Sequence, residues 1–133
     1  VDATCPQLLD AQTVYDYNPN VGTDPNYRPT DAAARALDVD GVACGLLHQT
    51  SGEQYSFAVA HFTADSADRV QSEIAQESSA ADGLPGQAYF RNESGRGRID
   101  VFVDEYWIVA ESIAFFQARD AAGLVEGMID ALP

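Results

Sequence analysis

The chain has 133 residues, 46% of them hydrophobic, enough for one domain with a buried core and no structural metal. Twenty-one acidic residues stand against seven arginines and no lysine, a formal net charge of −14. Such a surface repels phosphate backbones and anionic lipid, which disfavours nucleic-acid and general membrane-surface roles; the lack of lysine excludes Schiff-base chemistry and lysine-dependent phosphate loops.

Residues 1–41 read as helix and loop. Thr4 to Val14 predicts one short helix, with Pro6 suited to a first helical position and Leu8, Leu9 and Val14 on one face. Tyr15 to Pro29 is rich in proline and asparagine and reads as a run of turns. Asp16, Asn18 and Asn20 imitate the first ligands of a calcium loop, but Val21 stands where glycine is required and Tyr27 where a bidentate glutamate belongs, so a solvated loop is expected instead. Thr30-Asp31 offers a cap for an alanine-rich helix through Leu37.

Val42 to Phe62 is the stretch around which the rest is organised. Two β-branched, aromatic and small apolar runs flank Thr50-Ser51-Gly52-Glu53, the pattern of a hairpin. Placing the turn at Ser51-Gly52 pairs Thr50 with Glu53, His48 with Tyr55 and Val42 with His61. Val42, Cys44, Leu46, Tyr55, Phe57 and Val59 then share a bulky face, and Ala43, Gly45, Ala58 and Ala60 a small one.

Thr63 or Asp65 caps a helix expected to run to about Ser79, with Ala67, Val70 and Ile74 inward, before the breakers Gly83, Pro85 and Gly86. Gln87 to Arg91 predicts a strand and Asn92 to Gly95 a turn. Arg98–Val103 and Tyr106–Ile113 predict a second hairpin around Asp104-Glu105. A last helix is expected over Arg119 to Ala131, on the periodicity of Ala121, Leu124, Val125, Met128 and Leu132. Gln54 to Ala60 is weakly echoed by Glu105 to Ala110, each followed by a helix. The fold expected is a single α+β domain: an antiparallel sheet of about five strands over residues 42–133, with two main helices on one face, which the echo would make a repeated hairpin-helix unit.

Cys5 and Cys44 lack any C-x-x-C arrangement and cannot supply a zinc site alone; they are expected to bridge, pinning the first third to the sheet, with two separate buried thiols as the alternative. His48 and His61 fall on one face at opposite ends of the first hairpin, without ligand spacing, so neither a metal nor a cofactor is expected. No serine lies in a G-x-S-x-G elbow, and no catalytic residue is assigned. Arg91, Arg96 and Arg98 cluster around one turn; they form either an anion-contacting patch or a solvated turn paired with Glu93 and Asp100. In the two-residue-turn register Phe102, Trp107 and Val109 face away from Ile99, Val101, Val103, Tyr106 and Ile108. Phe102 and Trp107 are thus either an exposed binding patch or a minor core covered by the 15–40 segment, on which Tyr15, Tyr17 and Tyr27 would pack.

Cys5-Pro6-Gln7-Leu8-Leu9, then Asp40-Gly41-Val42-Ala43-Cys44 entering a strand, then Glu105-Tyr106-Trp107, resembles in layout the cysteine-paired domains of actinobacterial exported lipoproteins. Leu46 departs from that layout, in which tryptophan is expected two residues after the second cysteine. The resemblance implies an exported domain and supplies no catalytic residues. With a start at Val1 and no apolar signal core, the sequence reads as a mature or trimmed exported domain, extracytoplasmic and not itself membrane-inserted, with a lipid anchor conceivable upstream. A halophilic cytosolic protein is the rival explanation of the acidity. The function expected is non-enzymatic binding of a protein or small ligand, through Phe102, Trp107, Tyr15, Tyr17, Tyr27 and the three arginines. The alternatives are a small secreted hydrolase, with its site between the 15–29 loop and the hairpin ends, and a secreted enzyme inhibitor.

Overall fold

A computed structural model describes all 133 residues. In chain order the elements are α1 (Cys5–Leu8), α2 (Ala11–Tyr17), β1 (Val21–Thr23), α3 (Asp31–Leu37), β2 (Val42–His48), β3 (Gln54–His61), α4 (Ala64–Gln76), β4 (Ser79–Ala81), β5 (Gln87–Glu93), β6 (Arg96–Val103), β7 (Tyr106–Ser112) and α5 (Ala122–Ala131), the last entered through a 3₁₀ turn at Ala118–Ala121. The sheet is wholly antiparallel, with seven strands in the order β1-β2-β3-β7-β6-β5-β4. It is larger than the five strands expected because two three-residue strands, β1 and β4, close its edges.

Alternation along the central strands produces two packed faces. On one, Cys44, Leu46, Tyr55, Phe57, Val59, Ile99, Val101, Ile108 and Ala110 meet Leu8, Leu9 and Val14 of the N-terminal helices and Leu124, Val125 and Met128 of α5. On the other, Ala58, Ala60, Phe102, Trp107 and Val109 meet Ala32, Ala33 and Ala36 of α3 and Val70 and Ile74 of α4. The two main helices therefore lie on opposite faces, a correction to the single-sided arrangement expected. The chain leaving β3 turns to the α3/α4 side at Phe62, whose ring stacks on Trp107 at 6.1 Å. The chain leaving β7 turns to the other side at Phe115, which is buried against Tyr55 and Phe57.

Local chemistry accounts for most boundaries. The N-terminal helix expected as one piece is two, because Asp10 caps a new helix by accepting the Thr13 N–H at 2.8 Å. Thr30 and Thr63 cap α3 and α4 as expected, accepting from Ala33 and Ser66 N–H. α4 stops at Gln76 rather than Ser79, since Ser79 to Ala81 leaves to pair with β5.

The second hairpin has the expected register, Val103 opposite Tyr106, around a turn with positive φ at both Asp104 (49°) and Glu105 (67°). The first is displaced by two residues: Val42 pairs with Val59 and Leu46 with Tyr55, and the loop is the four residues Gln49 to Gly52, closed by the His48 N–H to Glu53 C=O bond. A shift of two leaves every side chain on its face, so the bulky and small faces stand although the pairing differed.

The two hairpins meet along β3 and β7, where Ala58 pairs with Val109. These two positions are counterparts in the weak echo between Gln54 to Ala60 and Glu105 to Ala110, while α4 and α5 pack on opposite faces.

Candidate functional site

Cys5 and Cys44 form a disulfide, with Cα atoms 5.7 Å apart, as expected from their number alone. The bridge fastens α1 to β2 beside the sheet edge that β1 covers only in part. β1 pairs with β2 from His48 back to Leu46, and one further bond runs from Asp24 N–H to Gly45 C=O. Beyond it, alternation of the ladder turns the Ala43 N–H and C=O away from β3 toward the uncovered edge. Along that edge opens a cleft of about 540 Å³. Leu9 and Val14 form one wall, Val21 and Gly22 another, Ala43 to Leu46 the floor, and Tyr15 and Ala11 the lip. Ten of the fifteen lining residues are apolar, and Asp24 and Tyr27 carry polar groups at its end.

Tyr27 is held by shape and by a hydrogen bond. Its ring lies directly over Gly45, where any Cβ would collide with it. Its hydroxyl is 2.7 Å from Ser56 Oγ, and burial pushes the phenol above its ordinary pKa. Tyr17 is half-buried and donates to Asp120 C=O at 2.9 Å, with its ring edge-on to Tyr55. Tyr15 is 61% exposed. The three tyrosines are thus dispersed into a cleft lip, a strut between α2 and the 3₁₀ turn, and a wall.

Phe102 and Trp107 are not an open surface: their exposures are 8% and 0%. Residues 31–37 of the segment expected to cover them do so, but α4 supplies the other half of the cover. The large aromatic side chains exposed to solvent are Tyr15 and Phe116 instead.

The three arginines follow the paired alternative. Arg98 is buried and clamps Asp100 with both ends of its guanidinium, at 2.9 and 3.0 Å, and also reaches Glu93 at 3.3 Å. Desolvation would lower the Arg98 pKa, but the bonds and charges of Asp100 and Glu93 outweigh it and the net shift is upward. Arg91 pairs with Glu77 at 2.7 Å and lies 3.0 Å from Glu93. Arg96 approaches Glu111 at 3.7 Å.

His48 Nδ1 accepts the Thr50 and Ser51 N–H groups, and the His61 ring lies 4.6 Å from that of Tyr106. Neither ring is hydrogen-bonded to a serine hydroxyl or a carboxylate. Ser112 Oγ donates to Gln54 C=O, and Ser56 faces a tyrosine whose raised pKa makes it a poor base at neutral pH.

Sequence reasoning missed the cleft walls. β1 lies within a proline-punctuated stretch without strand character, and a three-residue strand leaves no periodic signal. Asp10, three residues before Thr13, was the one legible mark of the break between α1 and α2 that opens the cleft. Comparisons with protein families, with characterised proteins and with solved structures found no match.

Proposed function

We propose that this chain is a non-enzymatic, extracytoplasmic binding domain that takes a small, largely apolar molecule into the cleft beside the disulfide. The observation that carries the reading is the cleft itself: about 540 Å³, walled mainly by Leu9, Val14, Val21 and Leu46, with Asp24 and Tyr27 at one end to orient a guest. A concave apolar site with a few placed polar groups is the usual form of a small-molecule pocket. The disulfide supports an oxidising compartment. No helix is long and apolar enough to cross a membrane. The net charge of −14 favours neutral or cationic guests over anions. The layout resemblance to exported lipoprotein domains agrees with this setting.

Titration with the neutral fluorophore N-phenyl-1-naphthylamine tests it. Ala11 is exposed at the start of α2 and forms part of the lip, so Ala11→Trp fills the mouth without touching the core. Saturable fluorescence enhancement is expected, weakened about tenfold or more in that variant, which is 1.4 kcal/mol of binding. No saturation, or equal binding by the variant, would overturn the reading.

A further inference from the structure

On the α3/α4 side of the sheet a second, polar pocket of about 370 Å³ adjoins the cleft, sharing Asp24 and Tyr27 with it. At its base is Glu111, whose side chain is 2% exposed. Oε1 accepts the Thr30 hydroxyl at 2.5 Å, but Oε2 has no hydrogen-bond partner. Its sheet neighbours do not help. Arg98, directly across the β6–β7 ladder, has turned its guanidinium to Asp100 and Glu93, and Ser56, directly across the β3–β7 ladder, is engaged with Tyr27. Arg96 Nη2 stands 3.7 Å away, beyond hydrogen-bond reach, on a side chain that is 38% exposed. A carboxylate taken out of water with one oxygen unsatisfied carries a desolvation cost that a donor would recover.

We infer that this pocket is a binding site for a small primary ammonium group, in which the ammonium donates to Glu111 Oε2. The lining carries Asp24, Glu53 and Glu111 against Arg28 and Arg96, one formal negative charge in excess, which a monocation cancels. Three ammonium hydrogens suit a site whose further acceptors include the hydroxyls of Tyr27 and Ser56. A metal ion is the poorer fit, because no three His, Cys, Asp or Glu side chains converge there or elsewhere. Arg96 is then a competitor for the carboxylate that the guest displaces. The site stands on Glu111 and does not depend on occupation of the apolar cleft.

The test is a ¹H–¹⁵N correlation titration of the full chain with n-butylammonium chloride, with sodium chloride at matched ionic strength and sodium acetate in parallel. Saturable shifts confined to residues 24–30, 52–56, 96 and 111 are expected with butylammonium alone. Glu111→Gln should weaken binding about tenfold or more, and Arg96→Ala should tighten it several-fold. The Arg96 variant carries the test by itself if the Glu111 variant fails to fold, since Arg96 is half-exposed and makes no full hydrogen bond. Non-saturating shifts shared with sodium, which would mean that water satisfies Oε2, would overturn the site. So would saturation by acetate instead, or no tightening in Arg96→Ala.

Discussion

The Trp107 indole donates its Nε1–H to Asp100 Oδ2 at 2.9 Å, and neither residue has any solvent exposure. The same carboxylate receives the two-pronged Arg98 guanidinium. One buried acid therefore neutralises an arginine and satisfies the only tryptophan of the chain. A hydrophobic face built on Phe102, Trp107 and Val109 can hold this ion pair because all its donors to Asp100 are directed by strand register: Arg98, Asp100 and Phe102 alternate on β6 opposite Trp107, Val109 and Glu111 on β7.

Breaking that group has a definite cost. Asp100→Ala leaves Arg98 charged and buried without its main partner, and should destabilise by about 3–5 kcal/mol in urea unfolding. Trp107→Phe removes one donor and some volume, and should cost roughly 2 kcal/mol. In the native protein Trp107 fluorescence should be blue-shifted and resist acrylamide; ready quenching would place the indole at the surface.

The disulfide closes a loop with a sequence separation of 39. Chain-entropy arguments put its contribution at about 4 kcal/mol. Cys5→Ser with Cys44→Ser should lower stability by that order and loosen α1 from β2, which also dismantles one side of the cleft. Intact mass with thiol alkylation before and after reduction checks the bridge directly: two alkyl groups should be added only after reduction.

The Asp104-Glu105 turn places two non-glycine residues at positive φ. Its geometry is held by the flanking strands and by Phe62 N–H, which donates to Glu105 C=O at 2.9 Å. Replacing the pair by Asn-Gly, which adopts this turn without strain, should raise stability by about 1 kcal/mol. An unchanged or lower urea midpoint would show that the turn residues contribute contacts of their own.

Burial pushes Tyr17 up to about 12, with the nearby Tyr55, Asp120 and Glu53 adding to the shift. Tyr27 and Tyr55 are raised as well, chiefly by burial. A folded-state pKa above the unfolded value near 10 means that the folded state holds its phenol protons longer. This stability is complete below pH 10 and is lost as pH rises from about 10 to 12. Absorbance titration at the phenolate band should show a late-titrating fraction, with cooperative unfolding following its ionisation. Tyr17→Phe should shift the unfolding midpoint to higher pH, unless loss of the bond to Asp120 C=O dominates, which the stability at pH 7 reports.

Short-range chemistry was legible in the residues alone. Two cysteines allow one intramolecular bridge. Period-two alternation set both faces of both hairpins, and in the first hairpin it did so despite a register two residues out, because an even slip moves no side chain across the sheet. Thr30 and Thr63 marked their helix starts, and the charges beside Arg98 marked its partners. Long-range packing set which face each helix covers, since that turns on where Phe62 and Phe115 find a cavity after the strand ends, and nothing in the periodicity of α4 or α5 names a side. It also decided the edge strands β1 and β4, which are too short to leave a pattern and exist because a neighbouring strand offers unpaired backbone. The cleft and the unsatisfied oxygen of Glu111 follow from those decisions: one is the space left where β1 stops short, and the other is an acceptor whose neighbours across both ladders are already engaged.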